Sequence, residues 1–269
     1  MKKYLSLLLI GSALFSGSLS AQNKKDSLSL VNTGKAWASL YQQRAAEYKA
    51  LCFQAYNMAK MRIDEAVKKH RNKPPAVVTD IDETVLDNSP YDAARALQNL
   101  DYSTVSWKQW TAKAQCDTVP GAPSFFKYAA SKGVKVFYIT NRDEDERATT
   151  LKNLQRYHLP NADDAHLLLK NGPSSKESRR QQVLKKYNIV LLCGDNMPDF
   201  DALYDNKPSE ENRSAATEKL RKEFGKRYIV IPNPSYGDFE NALFKFNYNL
   251  TTAQKDSIIK TLIKTDKTN

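Results

Sequence analysis

Two aspartates, Asp80 and Asp82, stand two apart in the string DIDETVLDNSPY, with Thr84 two further on. Alternation along an extended chain puts Asp80 and Asp82 on one side, where two carboxylates repel unless water, a proton or a cation relieves them. Magnesium suits such a pair, because it takes hard oxygen ligands in an octahedral array. A lone D-x-D is also a common solvated turn, so its meaning depends on what else reaches the same place. Three further strings bear on that. Thr140-Asn141-Arg142 offers a hydroxyl and a backbone amide to phosphate oxygens, although Thr or Asn after a strand also caps helices. NGPSSKESRR puts Lys176 in the first turn of a helix, where a cation opposes the helix dipole unless an anion lies between them. GDNMPDF supplies Asp195 and Asp199, acids that could complete a cation site.

These strings must be carried to one place by the elements that precede them, and each follows a short apolar run. AVVTD ends at Asp80, VKVFYIT at Thr140, HLLL at Leu169 and IVLLCGD at Asp195, while a fifth run, YIVIP, ends at Pro232. Helical sequence separates them, as after Asp143 through Tyr157 and from Ser178 to Tyr187. Strands alternating with helices predict an α/β fold, a Rossmann-like parallel sheet flanked by helices. Ligands of such sheets bind outside the carboxyl ends of the strands. A carboxylate pair, a hydroxyl, a lysine and a second carboxylate pair therefore arrive at one sheet edge in that order, a stronger signal than any one of them.

The flanking segments have their own periods. From Ser27 to Arg71 there is no proline, and apolar residues from Trp37 to Ala66 recur at three- and four-residue steps. One or two long amphipathic helices are expected there, stopped by Lys73-Pro74-Pro75. Between Asn88 and about Val119 short helical pieces rich in Tyr91, Tyr102, Trp107 and Trp110 predict a small helical cap packed with those N-terminal helices. Thr251 to Lys264 spaces Ile258, Ile259, Leu262 and Ile263 like a small amphipathic helix. The expected organisation is thus a signal peptide over 1–21, N-terminal helices over 22–73, a core over 74–250 with the cap inserted at about 88–119, and a C-terminal helix and tail over 251–269.

The signal peptide rests on MKKYLSLLLIGSALFSGSLSAQ: two lysines, an apolar run from Tyr4 to about Phe15, then small residues. The run falls short of the roughly 20 residues of a spanning helix. The chain is expected to be exported, to the periplasm, the outer-membrane surface or the medium, with no transmembrane segment and no cysteine near the cleavage point to carry a lipid. Cys52, Cys116 and Cys193 allow at most one internal disulfide, and Cys193 reads as a buried strand residue.

The formal charge of +11 favours anionic partners, but the basic residues are scattered among acids, so a small phosphorylated ligand fits and nucleic acid is not expected. There is no P-loop and no G-x-S-x-G elbow, and His70, His158 and His166 form no zinc cluster. A non-catalytic exported binding protein or adhesin on the same fold is the alternative.

DIDET resembles the D-x-D-x-T signature of the haloacid-dehalogenase-like phosphotransferases, with Thr140, Lys176 and Asp195/Asp199 at its second, third and fourth motifs. VVTDIDETVLDNSPY and IVLLCGDNMPDF are similar to the two signatures of the bacterial class C acid phosphatases, exported or surface enzymes of the 5'-nucleotidase type. The similarity covers roughly Ala76 to Glu240, with Met197 where the family usually has leucine. It implies a magnesium-dependent acid phosphatase in which Asp80 attacks phosphorus and Asp82 protonates the leaving oxygen and then takes a proton from water. Asp80, the backbone carbonyl of Asp82 and Asp195 would hold Mg2+, with Asp199 behind them, and Thr140, the Asn141 amide and Lys176 would bind phosphoryl oxygens. The similarity also aligns Trp107 and Tyr236 with aromatics that stack on a nucleobase, so nucleoside monophosphates are the favoured substrates. An acidic optimum is implied, and a homodimer is compatible with the sequence.

Overall fold

The computed structural model describes residues 29–69 and 72–266. The expected signal peptide and His70 lie outside the described residues.

The proline-free N-terminal stretch forms two helices, α1 (Leu30–Arg44) and α2 (Ala46–Val67), broken at Ala45, whose backbone is extended. Ser29 caps α1 by accepting the Asn32 amide, and the Asp256 carboxylate accepts the amides of Leu30 and Val31, an acid placed where the helix dipole favours it. In α2 the stripe Tyr48, Cys52, Tyr56, Ala59, Ile63 and Ala66 recurs every three or four residues and is buried. After the proline pair comes β1 (Pro75–Thr79), then β2 (Leu86–Asp87), α3 (Ser89–Leu97), α4 (Thr104–Thr111) and β3 (Asp117–Thr118). β2 and β3 pair antiparallel, closing the base of the segment that carries α3 and α4. The chain continues through α5 (Ala122–Ser131), β4 (Lys135–Asp143), α6 (Arg147–Arg156), β5 (Leu167–Lys170), α7 (Glu177–Lys186) and β6 (Asn188–Gly194). Last come α8 (Glu210–Lys219), β7 (Tyr228–Val230), α9 (Asp238–Leu243) and α10 (Thr252–Leu262).

Five strands form one sheet in the order β5-β4-β1-β6-β7, with every neighbouring pair parallel. This is the α/β architecture expected from the five apolar runs. The sheet is buried on both faces, and alternate side chains divide between two cores. Val77, Val136, Tyr138, Leu191 and Cys193 join the core under α2, α5 and α6, while Ala76, Val78, Phe137, Ile139 and Leu192 join the one under α7 with Phe200 and Tyr228. The first core is anchored by Tyr56, whose ring stacks on Phe125 at 5.4 Å, with Phe125 and Phe126 4.9 Å apart. Gly121, at the start of α5, has φ of +88°, and a side chain there would press on Phe53 and Tyr56 of α2 at 3.1 Å. The three cysteines are buried and free, so Cys52 and Cys116 do not pair. Among the described residues no helix is long and apolar enough to cross a membrane.

Candidate active site

β1 is the middle strand of the sheet, and the chain leaves it first for β4 and β5 on one side and later for β6 and β7 on the other. That reversal opens a crevice at the carboxyl end of β1, the place where such sheets take ligands. Asp80 follows β1 directly, held in register by its amide, which donates to the Cys193 carbonyl at 2.9 Å. Asp195 follows β6, and Asp199 is brought back over it by a 3-10 turn at Met197–Asp199, capped by the Asn196 side chain. Gly194 is required by this return: a Cβ there would overlap Cβ and Oδ2 of Asp199.

Oxygens of Asp80, Asp195 and Asp199 all lie within 4.8 Å of one another, with Asp80 and Asp199 buried and Asp195 partly so. Lys176, at the start of α7 and 5% exposed, sends its ammonium between two of them, to Asp80 Oδ1 and, at 2.7 Å, to Asp199 Oδ1. The cation that opposes the dipole of α7 is thus matched by the protein's own carboxylates. Burial raises the Asp80 carboxyl to about 7, with Lys176 pulling it down and Asp199 and Asp82 pushing it up. Burial, then Asp199 and Asp80, also raise Asp195 well above the usual carboxylate range. Burial pulls the Lys176 ammonium down, but Asp199 and Asp80 outweigh it and leave it above its ordinary value. Three carboxylates against one ammonium leave a double negative charge with oxygen donors alone, a composition that fits one hard divalent cation. A second acidic group, Asp143, Asp145 and Glu146, is already answered by Lys108 and Lys170.

Asp82 lines the same crevice, but its carboxylate pairs outside the acid cluster. Its carboxylate accepts Nη2 of Arg142 at 2.7 Å and the Asn88 side-chain amide at 2.9 Å, while Arg142 is 2% exposed and also donates to Thr150. The Asp82 side chain is therefore not part of the acid cluster, and any role at an ion there falls to its backbone carbonyl. β4 loses its regular pairing with β5 between Ile139 and Asp143, where it regains a partner in Lys170. Asn141 is exposed to the crevice, but Thr140 is fully buried, does not line it, and accepts the Arg142 amide with its hydroxyl. The Thr140 hydroxyl acts as an acceptor in folding the strand end, which leaves its own hydrogen to donate. Arg179, three residues after Lys176, grips this strand end through the Thr140 carbonyl and, at 2.7 Å, Asn141 Oδ1.

The crevice is a cavity of about 550 Å3 lined by Asp80, Asp82, Asn141, Arg142, Lys176, Asp195 and Asp199, with Trp107 and Tyr236 on its walls. Trp107 lies over the Arg142 guanidinium at 5.7 Å and meets Tyr91 edge-on at 5.3 Å. The Tyr236 hydroxyl donates to Glu83. His158 and His166 are apart from the cavity, the latter bonded to Asp163 at 2.7 Å.

The family model for the HAD superfamily, subfamily IIIB (acid phosphatase), matches residues 12–239. The chain belongs to this acid phosphatase family. The class C acid phosphatase from Bacillus anthracis has the same fold at 38% identity, with a TM-score of 0.84, covering 88% of this chain and 99% of that one. Its structure with tungstate bound matches with a TM-score of 0.83 and the same identity and coverage. Among curated proteins, a stem 31 kDa glycoprotein of Glycine max is 27% identical over 126 residues, 45% of this chain and 50% of that protein. Acid phosphatase 1 of Solanum lycopersicum is 26% identical over 134 residues, 46% and 51%. The chain spans about half the length of these curated relatives. The class C resemblance read from the motifs and the haloacid-dehalogenase-like fold are both borne out.

Arg142, Arg179, Glu83 and Asn88 also make contacts at this site and were not among the expected site residues. Arg142 had a signal, since it directly follows Asn141, and Glu83 lies inside DIDET; for Arg179 and Asn88 only the fold reveals the partner.

The raised carboxyls of the acid cluster predict a stability that depends on pH. A carboxyl such as Asp80, raised on folding, contributes stability present below its unfolded value and lost as pH rises through about 7. Scanning calorimetry of the chelated protein should therefore show Tm falling between about pH 5 and 8, and added magnesium should raise Tm more at the upper end. A magnesium effect that is absent, or equal at both ends, would place the cation elsewhere.

Proposed function

We propose that this acid phosphatase is an exported, magnesium-dependent enzyme that hydrolyses phosphomonoesters, nucleoside monophosphates above others, through a phosphoryl group carried on Asp80. The observation that carries the reading is the buried Lys176 ammonium between Asp80 and Asp199, beside Asp195, at the floor of an open cavity. A nucleophilic carboxylate needs neighbours that neutralise the incoming phosphoryl oxygens, since phosphoryl transfer is driven mainly by positioning and charge stabilisation. Lys176 supplies one fixed positive charge there. Asp80, Asp195, Asp199 and the Asp82 carbonyl would hold magnesium, which when bound neutralises phosphoryl charge and keeps the carboxylates ionised. The tungstate complex of the Bacillus anthracis enzyme supports an oxyanion site in this family.

In the first step an oxygen of Asp80 attacks phosphorus, the ester P–O bond breaks, and the leaving oxygen takes a proton from Asp82. In the second, Asp82 takes a proton from water as its oxygen attacks phosphorus; the bond to Asp80 breaks and inorganic phosphate leaves. Arg142 and Asn88 hold the direction of the Asp82 carboxylate through both steps. Asn141 faces the cavity and offers a contact to the phosphoryl group, and Arg179 fixes the strand end that carries it. The α3–α4 segment acts as the cap, bringing Trp107 to the cavity wall beside Arg142. With Tyr236 it offers aromatic surface to a nucleobase, an interaction that tolerates many bases.

Asp80→Asn should lower kcat by at least about a thousandfold while magnesium-dependent substrate binding partly persists. Activity within about tenfold of the unaltered protein would remove the covalent route. Phosphate release from a panel of nucleoside monophosphates and sugar phosphates, assayed at about pH 5 to 6 with magnesium and with chelator, should be chelator-sensitive and fastest for nucleotides. No release from any ester with any divalent metal would return the chain to the binding-protein reading.

A further inference from the structure

Tyr236 is fastened to the nucleophile loop by its hydroxyl, which donates to Oε2 of Glu83. Glu83 lies three residues after Asp80, is completely buried, and has its backbone in the left-handed region at φ of 57°. Its other oxygen, Oε1, accepts the Asn88 amide at 2.8 Å. Asn88 in turn donates to Asp82 at 2.9 Å and accepts the Trp110 indole at 2.8 Å. Glu83 does not line the cavity and is not among the clustered cation-site acids, so the steps above give it nothing to do. A carboxyl buried this deeply is costly unless its oxygens are bonded, and one of its two bonds is spent on Tyr236.

We propose that Glu83 is a positioning residue for leaving-group specificity. It pins the Tyr236 phenol, so that the ring stands fixed at the cavity wall when an aromatic leaving group arrives. Trp107 is braced in the same way by Arg142 beneath it, and both braces run to the loop that carries Asp80 and Asp82. A ring already immobilised loses no rotational freedom on binding, whereas a free one must be ordered by the substrate. The D-x-D-E-T loop thereby joins the reacting carboxylates to the selection of what they release. This inference rests on the stacking role given to Tyr236 above.

Steady-state kinetics of the full protein with magnesium test it, using a nucleoside monophosphate against glycerol 1-phosphate. Tyr236→Phe removes the phenol hydroxyl and keeps the ring. It should raise KM for the nucleotide about three- to tenfold, change kcat less, and lower the nucleotide-to-glycerol-phosphate ratio of kcat/KM by a similar factor. Glu83→Ala should do the same, the double variant should lose no more than either single one, and Glu83→Gln, which can still bond the phenol, should recover most of the ratio. If Tyr236→Ala collapses the ratio while Tyr236→Phe leaves it intact, stacking stands and the tether is overturned. If Tyr236→Ala leaves the ratio intact, the stacking role fails and the inference with it. Should Glu83→Ala fail to fold, the Tyr236→Phe ratio still decides.

Discussion

Asp80, Asp195 and Asp199 crowd together at the carboxyl edge of a parallel sheet, and a single ammonium, from Lys176, is set between two of them. Like charges held this close, with little water, destabilise the fold unless a proton or a cation compensates them. Lys176 offsets one unit, and the remaining two match a divalent ion or, between turnovers, protons taken up by the raised carboxyls of Asp80 and Asp195. The same imbalance that costs stability is what a doubly charged, oxygen-seeking cation requires. The fold thus imposes a deficit of positive charge on this sheet edge.

Much of the surrounding structure serves to hold that crowd in place. β1 and β6 run side by side, so Asp80 and Asp195 emerge as neighbours, and the missing side chain at Gly194 lets Asp199 close over them. α7 begins where Lys176 must reach inward, and the next turn carries Arg179 to the end of β4. Under the sheet, Tyr56 packs on Phe125 and donates its hydroxyl to the Thr84 carbonyl, while Thr84 donates to Asp195 at 3.0 Å. The N-terminal helix α2 therefore reaches the acid cluster through two hydrogen bonds.

The parts legible in the sequence were those with a short-range signature. Fully buried parallel strands appear as apolar runs, so β1, β4, β5, β6 and β7 could be located, and with them the order in which Asp80, Asn141, Lys176 and Asp195 reach the edge. A strand of two residues has no period, so β2 and β3 were invisible, although they close the base of the α3–α4 segment. The break at Ala45 carries neither glycine nor proline and left the count of N-terminal helices open. Side-chain partners chosen by tertiary packing were the least readable: the Arg142 pairing of Asp82 spans 60 positions and the Tyr236 contact with Glu83 spans 153. The burial of Thr140 belongs to the same class, since a hydroxyl at a strand end looks alike in sequence whether it is buried or exposed.

The proposed mechanism turns on a carboxylate oxygen of Asp80 attacking phosphorus. The direct measurement is acid quenching of the protein during turnover of a phosphomonoester with magnesium, followed by peptide mass spectrometry. A phosphoryl group on the peptide containing Asp80, lost on treatment with hydroxylamine as an acyl phosphate is, is the predicted result. Steady phosphate release with no phosphoryl group on Asp80 at any quench time, or with one on a different residue, would contradict it.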